Sequence, residues 1–186
     1  MPGACWSTGT PIITCVSSVS SAIRIRPVTP DDAAGIVAVM NPIIAARCYT
    51  VFDAPFTVDA ERAFIAGFSA RGIFHVAVDE RDGRVVGLQN LEPVVNYTRA
   101  MDHVASIGTY VDLNRRREGI AGRLFAASLA RARERGFEKL FTMVRADNAA
   151  ALQTYVRQGF VIVGMAKRHT KIDGAYVDEV LIERFL

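Results

Sequence analysis

The sequence predicts an α/β (mixed α+β) fold: one domain in which a twisted mixed sheet of about seven strands is flanked by about four helices. Three observations point there. Short apolar runs are separated by Asp82-Gly83 and Asp173-Gly174, pairs suited to two-residue hairpin turns. Three strand-like runs follow one another with short connections, which argues for an antiparallel part. A strongly periodic helix then separates two further apolar runs, the pattern of a crossover to a parallel neighbour.

In chain order, Ile23-Arg24-Ile25-Arg26 alternates apolar and charged side chains, as a half-buried strand does, and Pro27 ends it. Thr29 can cap a helix with Pro30 in its first position. That helix continues through Ile36, Val37 and Met40, and Pro42 is expected to kink or interrupt it before Cys48. Thr57 opens a second helix, with Glu61 as the far partner of a capping arrangement and Phe64, Ile65 and Phe68 on the apolar face. Strands are expected at 74–78, 85–91 and 104–111. The next helix carries Ile120, Leu124, Leu129 and Ala132 on one side and stops at Gly136. A buried strand at 139–144, a helix at 149–158 ended by Gly159, and strands at 160–165 and 176–185 complete the chain. Residues 1–22 are rich in Ser, Thr, Gly and Pro and hold no charged side chain, so they are expected to be a loosely ordered extension to a domain at 23–186.

Composition removes several function classes. The chain of 186 residues is 51% hydrophobic and 22% charged, ordinary for a soluble globular domain. No apolar run approaches the ~18–20 residues that span a bilayer, so no membrane role is expected. A formal charge of +3 is too small to imply nucleic-acid binding. Cys5, Cys15 and Cys48 form no C-x-x-C pair and are odd in number, which suggests reduced thiols, a cytoplasmic protein and no metal. The charge is unevenly spread: the segment 115–135 holds seven arginines against two glutamates. A solvated basic helix face or an anionic small ligand would each account for that.

The informative stretch runs Val111-Asp112-Leu113-Asn114-Arg115-Arg116-Arg117-Glu118-Gly119-Ile120-Ala121-Gly122. A strand ends, a polar turn follows, and small residues stand where a helix begins. Backbone N–H groups at a helix start lack internal partners and, with the macrodipole, attract anions. Arg116 or Arg117 could add a charge-assisted contact. Plain packing beneath a solvated cationic rim is the competing reading. Neither G-x-x-x-x-G-K-[ST] nor G-x-G-x-x-G is present.

Arg116-x-x-Gly119-x-Ala121 resembles the R/Q-x-x-G-x-G/A acyl-CoA signature of the GNAT acetyltransferase superfamily, with Ala121 where glycine is usual. Asn148-x-x-Ala151-x-x-x-Tyr155-x-x-x-Gly159-Phe160 is similar to that superfamily's second block. The order of elements agrees as well, so the resemblance covers all but the N-terminal extension.

The resemblance implies an N-acetyltransferase that moves acetyl from acetyl-CoA to a primary amine by direct attack in a ternary complex, releasing CoA. It implies that Arg116, Arg117, Gly119, Ile120, Ala121 and Gly122 contact the coenzyme pyrophosphate. The pantetheine arm would pair with the strand edge at Tyr110 and Val111, and Asn148 would lie near the thiol end. Tyr155 matches the position that protonates the departing thiolate, although an aromatic core residue is the plainer reading of the residue alone.

The base is open: no carboxylate lies between 104 and 111, and Glu92, Asp102 and His103 are the nearby candidates beside a water chain to backbone carbonyls. Tyr49, Phe52 and Phe56 stand in a loop similar to the acceptor-side loop of phosphinothricin-type enzymes, while 169–179 resembles enzymes acting on ribosomal-protein N-termini and small amines. The acceptor is therefore expected to be a small-molecule amine or a peptide N-terminus, and a homodimer is expected from the family's habit. A non-catalytic acyl-CoA-binding regulatory module is the alternative.

Overall fold

In the computed structural model, which describes residues 22–186, the chain builds a seven-stranded sheet. The strands are β1 (Ile23–Pro27), β2 (Ile73–Asp79), β3 (Val85–Pro93), β4 (Val104–Val111), β5 (Lys139–Arg145), β6 (Val161–Ile172) and β7 (Ala175–Phe185). The helices are α1 (Ala33–Ala45), α2 (Val58–Ala66), α3 (Ile120–Glu134) and α4 (Ala149–Arg157). The expected extension falls almost wholly outside the described residues.

Strand order is β1-β2-β3-β4-β5-β7-β6, with every pair antiparallel except β4 and β5. The expected hairpins and the parallel pair both form. Asp173 and Gly174 take φ of 49° and 83°, the left-handed pair that a tight β6–β7 turn requires. Each face of the sheet is covered. Phe125, Leu129 and Ala132 of α3 and Tyr155 of α4 pack on Leu91, Ala105, Ile107 and Leu140. On the opposite face Ile36, Met40 and Ile43 of α1 and Ile65 of α2 pack on Phe74, Val76 and Leu88. Side chains alternate along a strand, so this assignment fixes which residues of β3, β4, β5 and β7 look toward which helices.

Three expectations need correction. Pro42 does not interrupt α1, which runs unbroken past it to Ala45 because Val39, Met40, Ile43 and Ile44 on either side are all buried. A single missing helix hydrogen bond is outweighed there by burial of four apolar side chains. Thr29 does stand at the N-cap with Pro30 in the first position, of a 3-10 turn (Pro30–Asp32) that leads into α1, and the Asp32 carboxylate accepts both the Thr29 N–H, at 2.8 Å, and its hydroxyl, at 3.1 Å. Thr57 caps α2 by accepting the Ala60 N–H at 3.2 Å, but Glu61 lies one residue too far along to complete the arrangement and is buried instead. Finally, β6 reaches Ile172, well beyond 165, because irregularities at Ile162/Gly164 and Ala166/Thr170 break the alternation that marks a strand in sequence. Among the described residues no helix is long and apolar enough to cross a membrane.

Candidate active site

The parallel pair β4–β5 holds for only three residues, ending at Ser106 and Phe141. Beyond that point both strands continue, yet not together. β4 stays paired with β3 as far as Val111, and β5 stays paired with β7 as far as Arg145. The two half-sheets are thus each anchored while the seam between them opens. Among the described residues one edge of β4 from Ile107 onward has no strand partner, and a cleft of about 450 Å3 occupies the gap.

This cleft passes through the sheet. Thr109, Asn148 and Tyr155 line it from the α3/α4 side, while Ser106, Gly108 and Tyr110 line it from the α1/α2 side. A Cβ at Gly108 would come within 2.7 Å of the Asn90 side-chain oxygen, so a larger residue there would force Asn90 to move.

Tyr155 combines a buried ring with a hydroxyl at the cleft. Its ring meets Phe125 and Phe160 edge-on, with centroids 5.5 and 5.1 Å away, so it is a core aromatic. Its hydroxyl nonetheless reaches the cleft and donates to Thr109 Oγ1 at 3.3 Å. Burial pushes the phenol above its ordinary value, opposed only partly by Thr109, so it stays protonated throughout the neutral range. Thr109 also accepts Gln89 Nε2 at 2.8 Å, which leaves the buried Gln89 Oε1 without a partner. Asn148 opens α4: its side-chain oxygen accepts the Ala151 N–H at 3.1 Å and its amide donates to the Tyr49 carbonyl at 3.3 Å.

The turn before α3 is held from outside. Arg115 pairs with Asp79, at 2.8 Å, and with Glu118, at 2.7 Å. The adjacent Arg116 lies 4.0 Å above the Tyr49 ring, stacked against a residue of the cleft wall. Arg117 and Gly119 both take left-handed backbone, with φ of 67° and 76°, which turns the chain sharply into α3. Among the described residues no side chain caps the helix start at Gly119. Ile120 is buried in the core and offers only its backbone, whereas a Cβ built on Gly119 or Gly122 would meet nothing within 4 Å. Open space beside uncapped N–H groups, with arginines flanking it, is a cradle that fits a pyrophosphate.

The remaining sequence candidates separate. Tyr49 and Tyr110 line the cleft; Val111 turns away into the core beside Ile120 and Leu124. Phe52 and Phe56 meet edge-on at 5.0 Å outside the cleft wall, and the Phe56 backbone is clamped by the Asn41 amide at 2.8 and 3.0 Å, so these aromatics hold the loop. Glu92 pairs directly with Ser106 in register and lies on its face, between Asn90 and Val94, which both line the cleft, but Glu92 does not itself line it. Burial raises its carboxyl above the usual range. His103 is exposed at the opposite end of β4 from the gap, where its carbonyl accepts the N–H groups of Glu138 and Lys139, and it does not line the cleft. Asp102, ion-paired with Arg71 at 3.0 Å, does not line it either.

Sequence reasoning missed two charged side chains of the cleft, Arg145 and Glu179. Both read as ordinary strand residues, and only the register that sets them opposite each other at the end of the β5–β7 pair shows where they lie.

Comparison with known proteins follows the same lines. YwnH of Bacillus subtilis (strain 168), named a candidate phosphinothricin acetyltransferase, is 26% identical over 156 residues, covering 83% of this chain and 94% of its own. The crystal structure of ribosomal-protein-alanine N-acetyltransferase from Brucella melitensis is 25% identical with a TM-score of 0.80, covering 88% of this chain and 98% of that one. A phosphinothricin acetyltransferase from Sinorhizobium meliloti, crystallised with AcCoA, shares the fold at 19% identity, with a TM-score of 0.81 and 89% of each chain covered. The sequence profile of the acetyltransferase (GNAT) family matches residues 44–160. With more than half of its length matched, the chain belongs to the acetyltransferase (GNAT) family.

Proposed function

We propose that residues 23–186 form one catalytic domain that transfers acetyl from acetyl-CoA to a primary amine, both substrates being bound at once. The observation that carries this reading is the cleft through the sheet at the β4–β5 gap, which joins the face bearing the α3 cradle and Tyr155 to the face beneath the loop at 49–51. Two substrates entering from opposite faces would meet there.

The groups that would hold the coenzyme are Arg116, Arg117 and the backbone of Gly119, Ile120, Ala121 and Gly122, with the free β4 edge at Tyr110 and Val111 for its arm and Asn148 near the thiol. Acetyl-CoA supplies an activated acyl carbon when bound. The protein's own contribution is to place the amine, take its proton and give one back. An alkylammonium needs ~4–5 kcal/mol to become a nucleophile at pH 7. Glu92, on the acceptor face and with a raised carboxyl pKa, suits that proton better than the exposed His103. Tyr155 holds a proton at the opposite end of the cleft, where the leaving sulfur would lie. A module that only binds acyl-CoA has no use for that hydroxyl.

The acceptor is a small amine or a peptide N-terminus, in keeping with the names of the similar proteins. We also propose a cytoplasmic homodimer. The exposed Cys48 thiol fits a reducing compartment, and the outer edge of β6, with Val161, Ile162, Val163 and Met165 all about half exposed, suits pairing with a second copy.

Tyr155→Phe tests the reading. Steady-state CoA release should fall by roughly 10²-fold or more while acetyl-CoA affinity, measured by calorimetry, stays within about twofold. A wild-type rate in the variant would remove Tyr155 from the acid role.

A further inference from the structure

The acceptor side of the cleft holds one carboxylate that no hydrogen bond or direct ion pair engages among the described residues, although the Arg145 guanidinium lies within electrostatic reach of it. Of the described side chains lining the cleft, only Arg145 and Glu179 are charged. Arg145 is saturated: Nε and one terminal nitrogen donate to Asp147 at 2.9 and 2.7 Å, and the other donates to the carbonyls of Arg47 and Thr50 at 2.8 and 3.1 Å. Those bonds fasten the loop that roofs the acceptor side. Glu179 faces Arg145 in the β5–β7 register but makes no ion pair with it. Among the described residues no hydrogen bond or ion pair engages its carboxylate, and the residue is only 3% exposed.

The neighbours on β7 are accounted for. Asp178 accepts from Lys167 and the Arg168 N–H, and Val180 packs in the core beneath α3 and α4. Alternation therefore turns Glu179 toward the loop that carries Tyr49 and Thr50. Its oxygens are not sealed off, since Gln89 Oε1 alone among the described side-chain polar atoms is both sealed and unpartnered. A carboxylate withdrawn from bulk water, without a donor, at the wall of a cleft is completed by a ligand that brings the donor.

Resting on the acetyl-transfer reading, we propose that Glu179 receives the amino group of the acceptor, and that this acceptor is an ammonium with no carboxylate beside it. A free amino acid would set its α-carboxylate within a few ångströms of Glu179 and find no cation with a free donor pair in the cleft wall. Arg145 is taken by Asp147, and Arg116 lies behind Tyr49 at the phosphate cradle. An α-amide, a peptide N-terminus or a simple amine meets no such repulsion.

The test compares amino acids with their own α-amides, and with an N-terminal dipeptide and a simple diamine, at saturating acetyl-CoA, in the wild type and in Glu179→Gln and Glu179→Asp. The amides should exceed the acids in kcat/KM by at least about tenfold. Glu179→Gln should raise the KM of the amides by roughly 30-fold or more with the KM of acetyl-CoA unchanged, and should narrow the gap between amide and acid. Glu179→Asp, which keeps the charge, should recover part of the loss; a merely structural role would not separate the two. Dipeptide against diamine then tells which source supplies the amine. Equal use of acids and amides, or an unchanged amide KM in Glu179→Gln, would overturn the assignment while leaving acetyl transfer intact. If no acceptor turns over, calorimetric binding of the amides to the CoA-loaded protein decides: Glu179-dependent affinity keeps the ammonium site although transfer fails, and its absence removes the site.

Discussion

In the proposed reaction Tyr155 would give a proton and Glu92 would take one, and their surroundings set them apart. Tyr155 is buried and neutral, a donor at every ordinary pH. Glu92 is half withdrawn from water on the opposite face, so its carboxyl titrates above the usual carboxylate range. A base works only when deprotonated, so the rate should fall as pH drops through that raised value. Glu92→Gln should remove this acid limb from the pH profile of kcat/KM and lower the plateau by roughly 10²-fold; a retained limb would assign it to another group. Residue chemistry was only partly legible in sequence. Tyr155 and Asn148 sit in a block with fixed spacing, whereas Glu179 stands in an alternating strand end and reads like any surface carboxylate. Its burial depends on β5 and on a loop more than a hundred residues earlier.

At the scale of elements, the turn from β4 into α3 is positioned by ion pairs reaching back to β2. Asp79 accepts from Arg81 and from Arg115, and those guanidiniums hold its carboxyl well below the usual range. A depressed folded-state pKa means that the stabilisation is fully present above the unfolded value and is lost as pH falls below it. Asp79→Asn should therefore lower Tm at pH 7, with the gap to wild type closing as the pH is lowered through the carboxylate range. It should also weaken acetyl-CoA binding, because Arg115 then anchors the cradle through Glu118 alone. An unchanged affinity would show that the cradle keeps its shape without the β2 tether. The helix start itself was readable, since Gly119 and the small residues after it mark it. The splaying of β4 from β5 was not: nothing at Ser106 or Phe141 differs from a paired strand, and the break arises from which half-sheet each strand follows.

Over the whole molecule, connection lengths and turn residues were enough to order the sheet, because short loops force hairpins and a long helical connection allows a parallel neighbour. Pro42 and the length of β6 were misjudged because packing and strand irregularities override local rules. The apolar outer edge of β6 matters at this scale. Sedimentation should give a dimer, and Ile162→Lys, at a residue 57% exposed in the single chain, should yield a monomer of nearly unchanged Tm. A wild-type monomer would remove the dimer from the account.

The central claim is acetyl transfer across the sheet, and steady-state CoA release from acetyl-CoA, read against a panel of α-amides, dipeptides, diamines and free amino acids, tests it most directly. Amine-dependent CoA release that saturates with one acceptor class, together with the acetylated amine as product, is the expected result. No release with any acceptor, in a protein whose Tm still rises with acetyl-CoA, would contradict it and leave a coenzyme-binding module in its place.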